Sequence, residues 1–175
     1  MDLKKVIRTI PNWPKQGVMF RDITTLLKDA NAFSYVIDKF CERYKNVPID
    51  LVAGIESRGF ILGGAIASRL HKGFIPIRKQ GKLPAKTENE HYGLEYGRAA
   101  VEIHVDAVQK GSKVLLVDDL IATGGTLLAA INLVKKLGGH IVECAVIIDL
   151  PDLHGKEKIE GNGNKLFSLV QFDGE

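Results

Sequence analysis

Two adjacent carboxylates, Asp118 and Asp119, follow the apolar run Val114–Val117, and after Leu120 and Ile121 comes ATGGT, residues 122–126. An apolar run of this length reads as a buried strand that delivers the carboxylates to its polar end. Gly124 and Gly125 permit backbone angles closed to other residues and let amides approach a ligand. Thr123 and Thr126 add hydroxyl donors. The loop opens directly into a helix, whose N-terminus favours an anion. The combination is a phosphate cradle with two carboxylates beside it, suited to the hydroxyls of a sugar. Two glycines alone would equally make an ordinary strand–helix connection. The paired aspartates argue against that, because neighbouring like charges cost stability unless something uses them. The Walker pattern GxxxxGK[ST] is absent from the segment.

These residues need a scaffold, and the chain spells one out. A short helix over 4–10 is stopped by Pro11 and Pro14, and a loop follows to about Asp29. Residues 32–45 place Phe33, Val36, Ile37, Phe40, Cys41 and Tyr44 at helical spacing, with Asn31 as cap. LVAGI (51–55) and GFIPI (73–77) read as buried strands flanking a Gly- and Ala-rich helix over about 60–70. Residues 78–100 form a long polar insertion, which in a compact domain is functional or disordered. Residues 101–109 return as a strand and turn. A helix follows the phosphate loop, with Leu127, Ala130, Ile131, Val134 and Leu137 on one face and Gly138–Gly139 as its stop. IVECAVIID (141–149) is a further strand, and KLFSLVQF near the end is an edge strand. Residues 152–164 are polar and carry no functional reading.

Strands alternating with helices predict an α/β fold with a mostly parallel central sheet flanked by helices. Ligands bind such sheets beyond the carboxyl ends of the strands. The segments to watch are therefore ESRG (56–59), RKQGKLP (78–84) and DDLIATGGT (118–126).

The 175 residues fit one domain with a sizeable core. With 45% hydrophobic residues, 26% charged residues and a net charge of +3, the chain is an ordinary globular sequence. That charge is too small to argue for nucleic acid. The two cysteines, Cys41 and Cys144, fall on a helix stripe and in a strand, without metal-ligand spacing. No stretch approaches the roughly 18–20 apolar residues of a membrane span, and the start lacks the apolar run of a signal peptide. The expectation is a cytoplasmic protein with no membrane and no nucleic-acid partner.

VLLVDDLIATGGT (114–126) resembles the phosphoribosyl pyrophosphate motif of the type I phosphoribosyltransferases. PKQGVMFRDIT (14–24), IESRGFILG (55–63) and IRKQGKLP (77–84) with LEYG (94–97) narrow the resemblance to the adenine-specific members. It runs from about residue 7 to the C-terminus. The resemblance implies one phosphoribosyltransferase domain over 1–175, with a small N-terminal hood over 1–30 and a flexible catalytic loop over 78–105. It implies purine salvage: adenine and phosphoribosyl pyrophosphate give AMP and pyrophosphate, with Mg²⁺ held mainly by substrate and water and no direct protein metal ligand. A homodimer is implied.

Residue by residue, the resemblance puts the ribose hydroxyls on Asp118 and Asp119, and the 5′-phosphate on Ala122, Thr123, Gly124, Gly125 and Thr126. Pyrophosphate falls to Ser57, Arg58, Arg78, Lys79 and Lys82, and the Glu56–Ser57 peptide is expected to be cis. Adenine would rest between Phe20 and Leu120, its edge read by the backbone of Met19 and Arg58. Glu95 would be the general acid/base, Tyr96 would cover the reacting centre, and Arg58 would neutralise leaving charge. Two other readings of the fold remain: an enzyme for a 6-oxopurine, against which LEYG argues, and a non-catalytic regulator that senses phosphoribosyl pyrophosphate. The regulator would need a DNA-binding segment, for which the chain leaves no room.

Overall fold

The apolar runs pair side by side, as their composition requires. In the computed structural model, which describes residues 1–93 and 98–174, a seven-stranded sheet runs through the molecule. Its parallel part consists of β3 (Leu51–Ile55), β4 (Gly73–Lys79), β7 (Lys113–Ile121), β8 (His140–Asp149) and β9 (Leu166–Gln171). The order across the sheet is β5-β6-β4-β3-β7-β8-β9, where β5 (Thr87–Gly93) and β6 (Arg98–His104) form an antiparallel pair at one edge. β9 closes the other edge. Val52, Leu115, Val117, Ala145 and Ile147 of the sheet are buried against one face, Ala53, Leu116, Cys144 and Val146 against the other. The helices α3 (Ala30–Tyr44) and α4 (Arg58–Arg69) cover the first, α5 (Gly125–Lys136) and α6 (Gly155–Gly161) the second. Burial on both faces is why these strands read as continuous Val/Ile/Leu runs. Burial also pushes the Cys144 thiol up to about 12.

The first helix, α1 (Leu3–Val6), is shorter than the expected 4–10, capped by the Asp2 side chain on the Lys4 amide at 3.1 Å. Residues 8–11 instead form β1 (Arg8–Pro11), antiparallel to β2 (Met19–Asp22), with α2 (Thr24–Lys28) after it. Pairing across the turn supplies the hydrogen bonds of these strands, which the reading of a helix over 4–10 and a loop to about Asp29 did not foresee. Asp29, not Asn31, caps α3, its carboxylate accepting from the amides of Asn31 and Ala32 at 2.9 and 3.0 Å. The polar stretch 78–100 carries more regular structure than its composition announced. Both faces of β5 lack the apolar alternation that marks a strand, and its pairing with β6 is what makes it one. The segment 152–164 holds a single 3-10 turn, Pro151–Leu153, and then α6.

Candidate active site

The carboxyl ends of β3, β4, β7 and β8 open into one cavity of about 590 Å³. β7 runs on to Ile121, so Asp118 and Asp119 sit in its last turn of pleat rather than beyond it. Asp119 is buried, and the Asp118 carboxylate accepts the Asp119 amide at 2.9 Å. Arg58, at the first turn of α4, donates Nε to the Asp119 carboxylate. Burial, together with the neighbouring Asp119 charge, holds the Asp118 carboxyl well above the ordinary carboxylate range. The site thus pairs one carboxylate with a guanidinium and sets beside it a second whose ionisation is disfavoured by burial and by its neighbour.

Beyond β7 the chain turns through Ala122 and Thr123 into Gly124, whose φ of 75° is the left-handed conformation that caps α5. No acidic side chain occupies the first turn of that helix, so its amide end faces the cavity uncompensated. Ala122, Thr123, Gly124, Gly125 and Thr126 all line the cavity. Met19 and Phe20 of β2 and Leu120 of β7 also line it. Phe20 is backed by the Trp13 ring, edge-on with centroids 4.4 Å apart. The apolar slot is therefore made by two elements distant in sequence.

Side chains tie β1, β2 and the start of α2 together and β2 to the C-terminal tail. Arg8 pairs with Asp22, whose carboxylate also accepts the Thr24 amide at 2.9 Å and the Thr24 hydroxyl at 2.8 Å. Arg21, buried, donates to the Thr9 hydroxyl at 2.7 Å and to the Asp173 carbonyl at 3.0 Å, so the C-terminal tail holds the strand that carries Phe20.

The Glu56–Ser57 peptide is cis, as expected. Ser57, Arg58 and Lys79 reach the cavity. Arg78 and Lys82 are not among its lining residues. Arg78 donates Nε to Glu56 at 3.0 Å and a terminal nitrogen to the Lys82 carbonyl at 3.0 Å. Buried Glu102 accepts the Lys82 and Leu83 amides at 2.8 and 2.7 Å, so the turn after β4 is held from both sides. Burial opposes the Glu56 charge, but Arg78 and the Lys79 amide outweigh it and keep that carboxyl below its usual range. Glu95 and Tyr96 lie outside the described residues.

Several lining residues carried no site role in the sequence, among them Glu56, Tyr92, Leu150 and Leu153. Glu56 was findable, as the acid that opens ESRG directly after a buried strand. Tyr92 was not, because nothing in a polar stretch marks which residue will turn inward. Asp119 is engaged by Arg58 and Asp118 accepts a backbone amide, so a hard divalent ion here would take its positions mainly from ligand oxygens and water. Chemically, the cavity can hold a phosphate at a helix N-terminus, a diol at paired carboxylates, a second anion at Arg58 and Lys79, and a flat apolar ring between Phe20 and Leu120.

Comparison with known proteins agrees with this geometry. Residues 22–171 match the phosphoribosyl transferase domain family. The chain is 57% identical over the full length of both to an adenine phosphoribosyltransferase of Desulfosudis oleivorans. It superposes on that of Thermoanaerobacter pseudethanolicus with a TM-score of 0.93, at 46% identity and 98% coverage of each chain. The Giardia lamblia enzyme, solved in complex with 9-deazaadenine, gives a TM-score of 0.92 at 39% identity, over 98% of this chain and 96% of that one.

Proposed function

The chain belongs to the phosphoribosyl transferase domain family, and on that premise we propose how its cavity moves the 5-phosphoribosyl group of phosphoribosyl pyrophosphate to adenine in purine salvage, with AMP and pyrophosphate as products. The observation that carries the reading is the convergence on one cavity of the Asp118–Asp119 pair, the Ala122–Thr126 loop and the Phe20–Leu120 slot.

The loop amides and the hydroxyls of Thr123 and Thr126 bind the 5′-phosphate. Asp118 and Asp119 accept the ribose hydroxyls and offset the positive charge that the sugar gains as the bond to pyrophosphate breaks. Ser57, Arg58 and Lys79 receive the pyrophosphate. Arg78 and Lys82 serve the same end from the turn behind it, Arg78 by fixing Glu56 and the Lys82 carbonyl. Magnesium on the diphosphate supplies further charge neutralisation, held mainly through substrate oxygens and water rather than by direct protein ligands. Adenine stacks between Phe20 and Leu120, with the backbone of Met19 and Arg58 along its edge, and N9 attacks C1′ from the face opposite the leaving group.

Glu95 takes and returns the proton at N7, and Tyr96 covers the reacting centre. Such proton transfer contributes about a hundred- to ten-thousandfold in rate. Residues 1–30 act as the hood and 78–105 as the loop of a single domain over 1–175. The homodimer is carried by the resemblance to the adenine-specific family. The enzyme works in the cytoplasm; among the described residues no helix is long and apolar enough to cross a membrane.

The test is pyrophosphate release with Mg²⁺ and phosphoribosyl pyrophosphate, adenine, hypoxanthine, guanine and xanthine being run in parallel. Release with adenine alone is expected. Release only with an oxopurine would keep the phosphate loop and overturn the base slot, and silence with all four would favour a sensor.

A further inference from the structure

Tyr92 occupies a place in the cavity that no part of the scheme above uses. It lies in β5, and its half-buried side chain faces the start of α5. A Cβ built on Gly125 would sit 3.5 Å from Cδ2 of the Tyr92 ring and 3.7 Å from the Gly93 carbonyl oxygen. The ring therefore stands over the first residue of α5, beside the loop that holds the phosphate. Residues two apart on a strand share a face, so Glu90 points the same way. Its carboxylate accepts Asn132 Nδ2 at 3.1 Å and is paired with the Lys136 ammonium. Asn132 and Lys136 are four apart on α5, and Gly125 is seven before Asn132, so all three lie along one stripe of the helix. β5 is thus fastened to α5 twice, by a charged pair at its middle and by an aromatic ring at the cavity end. Lys136 and Asn132 hold the Glu90 carboxyl below its usual range, with burial opposing them.

We infer that Tyr92 is a positioning residue that roofs the 5′-phosphate site and sets the β5–β6 hairpin in register on the phosphate loop. The hairpin leads directly into residues 94–97, which hold the proposed acid/base. An aromatic ring over the helix N-terminus excludes water from the amides that bind phosphate and strengthens their field on the anion. The Glu90 anchor fixes the distance along the strand. Binding at the loop and placement of the hairpin are then one event rather than two. The inference rests on the reading of residues 122–126 as the 5′-phosphate site, and the experiment separates the two.

Ribose 5-phosphate is titrated calorimetrically into the full-length wild-type chain, Tyr92→Phe, Tyr92→Ala and the double variant Asn132→Ala/Lys136→Ala, which releases the anchor without touching β5. The wild type binds, and Tyr92→Phe stays within about twofold of it because the ring is kept. Tyr92→Ala and the double variant each weaken binding by about tenfold. In turnover assays their KM for phosphoribosyl pyrophosphate rises while the KM for adenine does not, a split that general loosening would not produce. Unchanged affinity in Tyr92→Ala overturns the roof, and unchanged affinity in the double variant overturns the anchoring. No binding by the wild type overturns the phosphate-loop reading itself.

Discussion

Gly155 presses on the phosphate loop so closely that a Cβ there would overlap the carbonyl oxygen of Ala122 and stand 2.8 Å from Cγ1 of Ile121. The polar segment after β8 thereby acquires a role: α6 buttresses the loop from behind. Gly155→Ala should push Ala122 and Gly124 out of position, raising the KM for phosphoribosyl pyrophosphate by about tenfold and costing about 1–3 kcal/mol of stability. Gly161→Ala, in the same helix with open space around it, should leave both unchanged. Equal behaviour of the two variants in kinetics and thermal melting would remove the buttress.

The raised Asp118 carboxyl predicts a pH limit on the proposed activity. Only the ionised form offsets positive charge on the sugar, so kcat/KM for phosphoribosyl pyrophosphate should fall as pH drops through the raised value. Asp119→Asn removes the adjacent negative charge and frees the Arg58 guanidinium beside Asp118. Both changes favour the ionised form. The variant should be slower at every pH, with its acid limb displaced to lower pH. A pH profile whose acid limb stays put or moves upward would contradict the coupling.

On the far side of the sheet, Glu143 of β8 accepts Arg43 Nε at 2.7 Å and the buried Tyr44 hydroxyl at 2.6 Å. Burial raises its carboxyl, but the Arg43 and Tyr44 hydrogen bonds prevail and hold it below the usual glutamate range. A depressed carboxyl contributes stability above its ordinary value, near 4.3, and loses it as pH falls through the folded value. Glu143→Gln should therefore lose about 1–3 kcal/mol near pH 7. The gap to the wild type in urea unfolding should narrow below about pH 4. A gap that is constant with pH would mean that the charge plays no part.

Trp13 is the only tryptophan of the chain and packs edge-on to Phe20. A ring stacking on Phe20 alters what that indole sees, so adenine should produce a saturable change in tryptophan emission. Trp13→Ala should weaken adenine binding by about two- to tenfold, the worth of an aromatic pair, without changing ribose 5-phosphate affinity. Adenine binding that leaves the emission untouched would place the base elsewhere.

Most of the scaffold was legible in the sequence because it is written in runs. A strand buried on both faces is a continuous apolar stretch, and a helix against a sheet has an apolar stripe, so β3, β4, β7, β8, α3 and α5 stood out from their neighbours. β1, β2, β5 and α6 did not: all are short or polar, and the three strands exist because a neighbouring strand completes their hydrogen bonds. The paired aspartates with ATGGT marked a segment that the fold places in the cavity, since two adjacent like charges before a glycine loop at a strand end stand out from ordinary connections.

What the sequence determined by itself is the local chemistry: Asp118 and Asp119 at a strand end, a loop of small residues opening α5, and the order of strands and helices that makes a parallel sheet. Only the tertiary structure decided which distant residues complete the site. It set Arg58 on Asp119, Gly155 against Ala122, Phe20 in one cavity with Leu120, the C-terminal tail holding its strand, and Tyr92 over Gly125. Local chemistry follows from residue type and spacing along the chain. These pairings span tens of residues and depend on how the layers close, a cooperative outcome of burying every apolar face at once, which no segment encodes alone.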